Sequence, residues 1–88
     1  MLMEIIYFKN AAKALRRMDE KTQERIKRRI KGLTENPPIG DIQPMEGFSN
    51  GSRRLRIGEL RVIFRYAVEN GEKFVYIIDV GYRGDVYK

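Results

Sequence analysis

Arg54, Arg56, Arg61 and Arg65 flank a Gly58-Glu59 pair in the run Arg53-Arg54-Leu55-Arg56-Ile57-Gly58-Glu59-Leu60-Arg61-Val62-Ile63-Phe64-Arg65-Tyr66. Charged and apolar residues alternate on both sides of the pair, the pattern of two strands joined by a two-residue turn. With Gly58 and Glu59 as the turn, Ile57 faces Leu60, Arg56 faces Arg61, Leu55 faces Val62 and Arg54 faces Ile63. One face then holds Leu55, Ile57, Leu60, Val62, Phe64 and Tyr66; the other carries Arg54, Arg56, Arg61 and Arg65 around Ile63. Like charges placed directly opposite one another cost about 0.2 to 1 kcal/mol per pair. A face chosen only for solubility would mix Lys with Glu or Thr. The planar donor fork of arginine matches phosphate oxygens, so the pattern points to a phosphodiester as the missing counter-charge. A charged face that protects a sheet edge is the competing reading.

Composition narrows the chemistry. The 88 residues include 18 basic and 12 acidic side chains, a net charge of +6. A basic domain of this size most often meets nucleic acid, with an acidic protein segment as the next candidate. Histidine and cysteine are both absent, which removes the commonest general base, the commonest transition-metal ligands and any disulfide framework. Asp and Glu are scattered, so neither a metal nor another cofactor is expected. The longest apolar runs, such as Phe74 to Ile78, are too short to span a bilayer, and Met1 to Phe8 carries Glu4 and lacks a secretory pattern. The expectation is a cytoplasmic protein with no membrane partner.

The elements that must position the arginines follow from periodicity. Met3 to Phe8 reads as a first strand. Asn10 is a candidate helix cap, with Ala11, Leu15 and Met18 forming one apolar stripe flanked by Ala12 and Ala14. Asp19 is a second candidate cap, opening a helix from about Glu20 to Glu35 with Ile26, Ile30 and Leu33 on one side. The two helices should form an antiparallel hairpin. The basic run Arg25 to Lys31 on the other side reads as a solvated helix face that supplies long-range attraction. Asn36-Pro37-Pro38 stops the second helix. The residues from there to about Ser52 read as a loop, with Ile42, Met45 and Phe48 as anchors to the core. After the central hairpin, Asn70-Gly71 signals a further turn into Lys73 to Val80. A strict two-residue turn would put Asp79 on the same face as Val62 and Phe64, burying a carboxylate. A three-residue Asn-Gly-Glu loop with a bulge instead sets Phe64 beside Ile78 and turns Asp79 toward the arginines, which is the expected register. No repeat or domain boundary appears, so residues 1–88 read as a single α+β domain. An N-terminal strand and a helical hairpin should pack on one face of a small, mainly antiparallel sheet, leaving the arginine face open.

At this point the chain resembles a known family. The region from Pro37 to Tyr87 contains Gly47, the Arg54-Leu55-Arg56-Ile57-Gly58-Glu59-Leu60-Arg61-Val62-Ile63-Phe64-Arg65 core and the Val80-Gly81-Tyr82-Arg83-Gly84-Asp85-Val86-Tyr87 ending. With the N-terminal helices it resembles the RelE/ParE toxin superfamily over nearly the whole chain, with a RelE-like microbial ribonuclease-type fold. The resemblance implies a toxin of a type II toxin-antitoxin system, neutralised by an acidic antitoxin that wraps around it, with a heterotetrameric complex as one arrangement. The RelE branch looks like ribosome-dependent endoribonucleases that cut mRNA in the ribosomal A site. The ParE branch shares the fold but acts on DNA gyrase. Arg54, Arg56, Arg61, Arg83 and Tyr87 fall on the positions that mark the RelE branch, so a metal-independent ribonuclease with ribosome and mRNA as partners is favoured.

Cleavage of this kind needs a base for the 2′-hydroxyl, charge stabilisation at the phosphorane and an acid for the 5′-oxygen. Arg56 and Arg61, adjacent across the hairpin, are placed to clamp phosphate oxygens as negative charge builds, and the resemblance implies that Arg83 sits near the leaving oxygen and Tyr87 stacks on or orients the nucleotide. Arg53, Arg65 and Lys88 are further RNA-binding candidates at the rim. Family members often carry Lys where this chain has Arg54, and a guanidinium gives up its proton far less readily than an amine. Glu59, Asp79, Tyr87 or a ribosomal group could then supply the base. The alternatives are a gyrase inhibitor that cuts no RNA, and a catalytically impaired toxin that only binds antitoxin and ribosome.

Overall fold

The computed structural model describes residues 3–45 and 51–82. In chain order it has β1 (Glu4–Tyr7), α1 (Lys9–Arg16), α2 (Glu20–Lys31), a 3-10 turn (Gly32–Thr34), β2 (Asp41–Pro44), β3 (Arg53–Ile57), β4 (Leu60–Glu69) and β5 (Glu72–Tyr82). The five strands form one sheet in the order β1-β5-β4-β3-β2. β1 runs parallel to β5, and the other neighbours are antiparallel. The fold is the expected α+β arrangement, with both helices supplying residues to one face of the sheet.

That face is the apolar side of the central hairpin. Leu55, Ile57, Leu60, Val62 and Phe64 are buried, and Tyr66 packs against them. Ala11 and Leu15 from α1 and Ile26, Ile30 and Leu33 from the second helical segment close over them, with Met18 packed at the margin. Burial of this kind contributes about 1.5–3 kcal/mol per large aliphatic side chain. Tyr66 also ties the layers together, since its hydroxyl donates to the Leu33 carbonyl at 2.7 Å and its ring meets Phe64 edge-on at 5.5 Å. No helix among the described residues is long and apolar enough to cross a membrane.

Several boundaries differ from the sequence expectation. α1 begins at Lys9, and the extended residue before it is Phe8, so Asn10 lies inside the helix. The cause is non-local: Phe8 N–H donates to Ile77 O at 2.8 Å, continuing the β1–β5 ladder, and Phe8 O already accepts Ala12 N–H at 2.9 Å. Asp19 does precede α2, and its carboxylate accepts the Thr22 hydroxyl at 2.6 Å. That bond holds the Asp19 carboxyl below its ordinary range. α2 stops at Lys31 and tightens into the 3-10 turn because the chain folds back, with Ile39 N–H donating to Gly32 O at 2.9 Å.

A strand also occupies part of the expected loop. β2 pairs Asp41 with Arg56, Ile42 with Leu55, Gln43 with Arg54 and Pro44 with Arg53. Proline is tolerated there because β2 is a sheet edge. Ile42 packs against the core and Met45 is buried, as anchors should be; Phe48 and Gly47 lie outside the described residues. Gly40, at φ +139°, delivers the chain into β2, and a Cβ there would stand 2.6 Å from Leu55 Cδ1.

The β4–β5 register is a further correction. Glu69 pairs with Glu72, so the connection is a strict two-residue Asn70-Gly71 turn with φ of 53° and 80°. Phe64 pairs with Ile77 instead of Ile78, and the irregularity lies within the strands, where Ile63 pairs with Asp79 and Ile78 is the extra residue. Asp79 nevertheless reaches the arginine side. The bulge spares a carboxylate from burial opposite Val62.

Candidate phosphate-binding face

The sheet face away from the helices is built in rows that cross the strands. Ile57 pairs with Leu60, Arg56 with Arg61, Leu55 with Val62 and Arg54 with Ile63, the register that alternation around Gly58-Glu59 predicts. Gly58 has a φ of +59°, which a turn glycine adopts without strain. The Arg25 guanidinium of α2 comes so close to this turn that a Cβ on Gly58 would lie 3.0 Å from its Nη2. One member of the helical basic run is thus drawn to the hairpin tip.

One row runs Asp41, Arg56, Arg61, Gly81 across β2 to β5. Arg56 Nε lies 3.9 Å from Asp41 Oδ2, and both side chains are about half exposed. An exposed pair at that distance holds its partner weakly. Gly81 presents no side chain opposite Arg61. The next row runs Gln43, Arg54, Ile63, Asp79. Arg54 Nη2 donates to Gln43 Oε1 at 2.7 Å, and Asp79 Oδ1 accepts the Val80 N–H at 2.9 Å. Ile63 is buried at the middle of these rows. Arg65 lies further along β4, paired with Tyr76, with its guanidinium carbon 5.2 Å from that ring's centroid.

The structure therefore brings together Arg54, Arg56, Arg61 and Arg65 on one face. Arg53 stands apart: it pairs with Phe64 and alternates with Leu55 toward the helix side, where its charge opposes the burial that raises the Tyr66 phenol. Glu59 is an exposed turn residue. Arg83, Tyr87 and Lys88 lie outside the described residues. Asp41 and Gln43 were missed as members of the face. Their signal was the polar-apolar-polar alternation Asp41-Ile42-Gln43, too short to stand out between Gly40 and Pro44.

A face so arranged can grip a polyanion. Arg56 and Arg61 are register partners on adjacent strands, and their planar donor forks match phosphate oxygens.

Comparison with known proteins places this arrangement. The family model for the ParE toxin of the type II toxin-antitoxin system, parDE, matches residues 5–87. The chain belongs to this family. Among solved structures, the toxin is similar to the YoeB/ParE toxin from Agrobacterium tumefaciens, with TM-score 0.76, 20% identity, and coverage of 92% of this chain and 99% of that one. It is also similar to the archaeal RelE-RelB complex from Pyrococcus horikoshii OT3, with TM-score 0.72, 26% identity, and coverage of 97% and 99%. A free RelE from E. coli carrying two arginine-to-alanine substitutions superposes with TM-score 0.71 at 19% identity, covering 96% of the toxin and 86% of that chain. A search of curated proteins found no match. Membership of the RelE/ParE toxin superfamily and the RelE-like fold are thus established for this toxin, in line with the residues around Arg54 to Arg65.

Proposed function

We propose that this toxin is a ribosome-dependent endoribonuclease that cleaves mRNA in the ribosomal A site. The observation that supports the reading most is the direct pairing of Arg56 with Arg61 on the open sheet face. In this reading the 2′-oxygen attacks the adjacent phosphorus, its proton passes to a base, and the bond to the 5′-oxygen breaks as that oxygen is protonated. The products are a 2′,3′-cyclic phosphate and a 5′-hydroxyl end. Arg56 and Arg61 donate to the non-bridging oxygens as charge builds on the phosphorane, where preorganised donors act most strongly. Arg83 donates a hydrogen bond to the leaving oxygen, which takes its proton from water, and Tyr87 orients the nucleotide. Arg54, already a donor to Gln43, binds phosphate and is not the base, because guanidinium stays protonated. Asp79 fits that role better: the bulge keeps its carboxylate on the arginine face, in the row of Arg54.

The proposed partners are mRNA on the ribosome and a cognate acidic antitoxin. Support for the antitoxin is the net charge of +6 together with the Pyrococcus horikoshii relative, solved as a RelE-RelB complex. Incubating the purified toxin with ribosomes programmed with a defined mRNA tests the activity. Cuts at the A-site codon are expected, and uncut mRNA would refute it. The ParE description of the matching family favours a second reading, inhibition of DNA gyrase, in which supercoiling fails and mRNA stays intact.

A further inference from the structure

The open sheet face has a second half that the arginine rows leave unused. Beyond Arg65 it becomes aromatic. The Tyr76 ring lies 5.2 Å from Phe8, tilted by 39°, and 6.0 Å from Phe74 in a near-parallel stack at 16°. Phe74 pairs with Ala67 on one side and Glu4 on the other, so small or polar neighbours flank it. Phe8 is 37% exposed and takes no part in the core beneath the helices. Its backbone is nevertheless fixed by the hydrogen bond to Ile77 O at 2.8 Å. The Phe8 ring thus leans on Tyr76 at the surface, outside the core, with part of it still open to solvent.

Arg65 joins the two halves. Its guanidinium carbon stands over Tyr76 at 5.2 Å, while its Nε is buried without a hydrogen-bond partner among the described residues. A buried donor left unmet is unfavourable, and a phosphate oxygen drawn to this side of the guanidinium would satisfy it.

We infer that the aromatic half, built from Phe8, Phe74 and Tyr76, is a stacking platform for unpaired bases of the RNA strand whose phosphates the arginines hold, with Arg65 bridging the two. The inference rests on the ribonuclease reading and extends it to an adjoining subsite. Single-stranded nucleic acid combines flat apolar faces with a phosphate at every step, the mixture that this face offers in reverse. A purely apolar protein segment would cover the rings but leave the Arg65 donor unmet. Stacking on aromatic side chains tolerates any base, so the platform adds affinity without sequence preference.

The full-length toxin, wild type and Phe8→Ala, is titrated with a short labelled oligouridylate and with an abasic oligonucleotide of the same length, which keeps the phosphates and lacks the bases. Loss of one stacked base should weaken oligouridylate binding roughly 5- to 150-fold. Abasic binding and the salt dependence should stay as in wild type. Phe8→Leu keeps apolar bulk without the ring and should show the same base-dependent loss, which separates stacking from misfolding. Unchanged oligouridylate affinity in both variants, or an equal loss toward the abasic strand, would overturn the platform. So would weakened antitoxin binding with RNA affinity intact, which would reassign the patch to a protein partner. The two readings fail separately. Codon cleavage by wild type with variant-insensitive binding sinks the platform alone, whereas ring-sensitive binding without any cleavage sinks the ribonuclease alone.

Discussion

Arg56 and Arg61 are register partners across β3 and β4, so two cations sit side by side on a sheet face where Asp41 Oδ2 lies 3.9 Å from Arg56 Nε. Replacing either arginine by alanine should lower mRNA cleavage on programmed ribosomes by at least about a hundredfold, the usual effect of removing a donor aimed at developing charge. Arg56→Ala should change unfolding free energy by no more than about 0.5 kcal/mol, because the pair it breaks is exposed and long. Cleavage assays paired with urea denaturation check both statements.

Phosphate contact should also appear as a salt effect. If Arg54, Arg56, Arg61 and Arg65 neutralise phosphates of a single strand, log affinity should fall against log salt with a slope of roughly −3. Fluorescence anisotropy across a salt series measures it, and a flat response would remove phosphate recognition from the account.

Gly40→Ala tests how β2 is delivered to the face. The φ of +139° disfavours any side chain, and the new Cβ would lie 2.6 Å from Leu55 Cδ1. A loss of about 1–3 kcal/mol is expected from denaturant midpoints. Cleavage should fall with it only as far as β2 loses its place.

How much of this could be read beforehand depended on whether the deciding contact was local. The β3–β4 register followed from alternation and a Gly-Glu turn, and the helix stripes at Ile26, Ile30 and Leu33 followed from their spacing. β2 did not, because its one core-facing residue, Ile42, stands between Gly40 and Pro44 and gains its pairing from β3. The start of α1 was hidden for a similar reason: Phe8 is held by Ile77, far along the chain. Asp79 was correctly assigned to the arginine side although the bulge sits at Ile78 instead of at the turn, since either device reverses the same faces. Among the arginines, those of the open face were legible as a group, and Arg53, expected at the rim, lies on the helix side of β3.

Tyr66 links stability to alkaline pH. Burial raises its phenol above the ordinary value of 10.0, as it does for Tyr7. A raised folded-state pKa means that this contribution is fully present below about pH 10 and is lost as pH climbs through the folded value. Tyr66→Phe should cost about 1 kcal/mol at neutral pH, because the Leu33 carbonyl loses its donor, and should soften the alkaline fall. Chemical denaturation at stepped pH would reveal both effects.

Primer extension on translated mRNA after induction of the toxin tests the central claim most directly. The arginine face as a transition-state clamp predicts discrete cuts within codons that vanish with Arg61→Ala. Intact mRNA accompanied by loss of DNA supercoiling would contradict it.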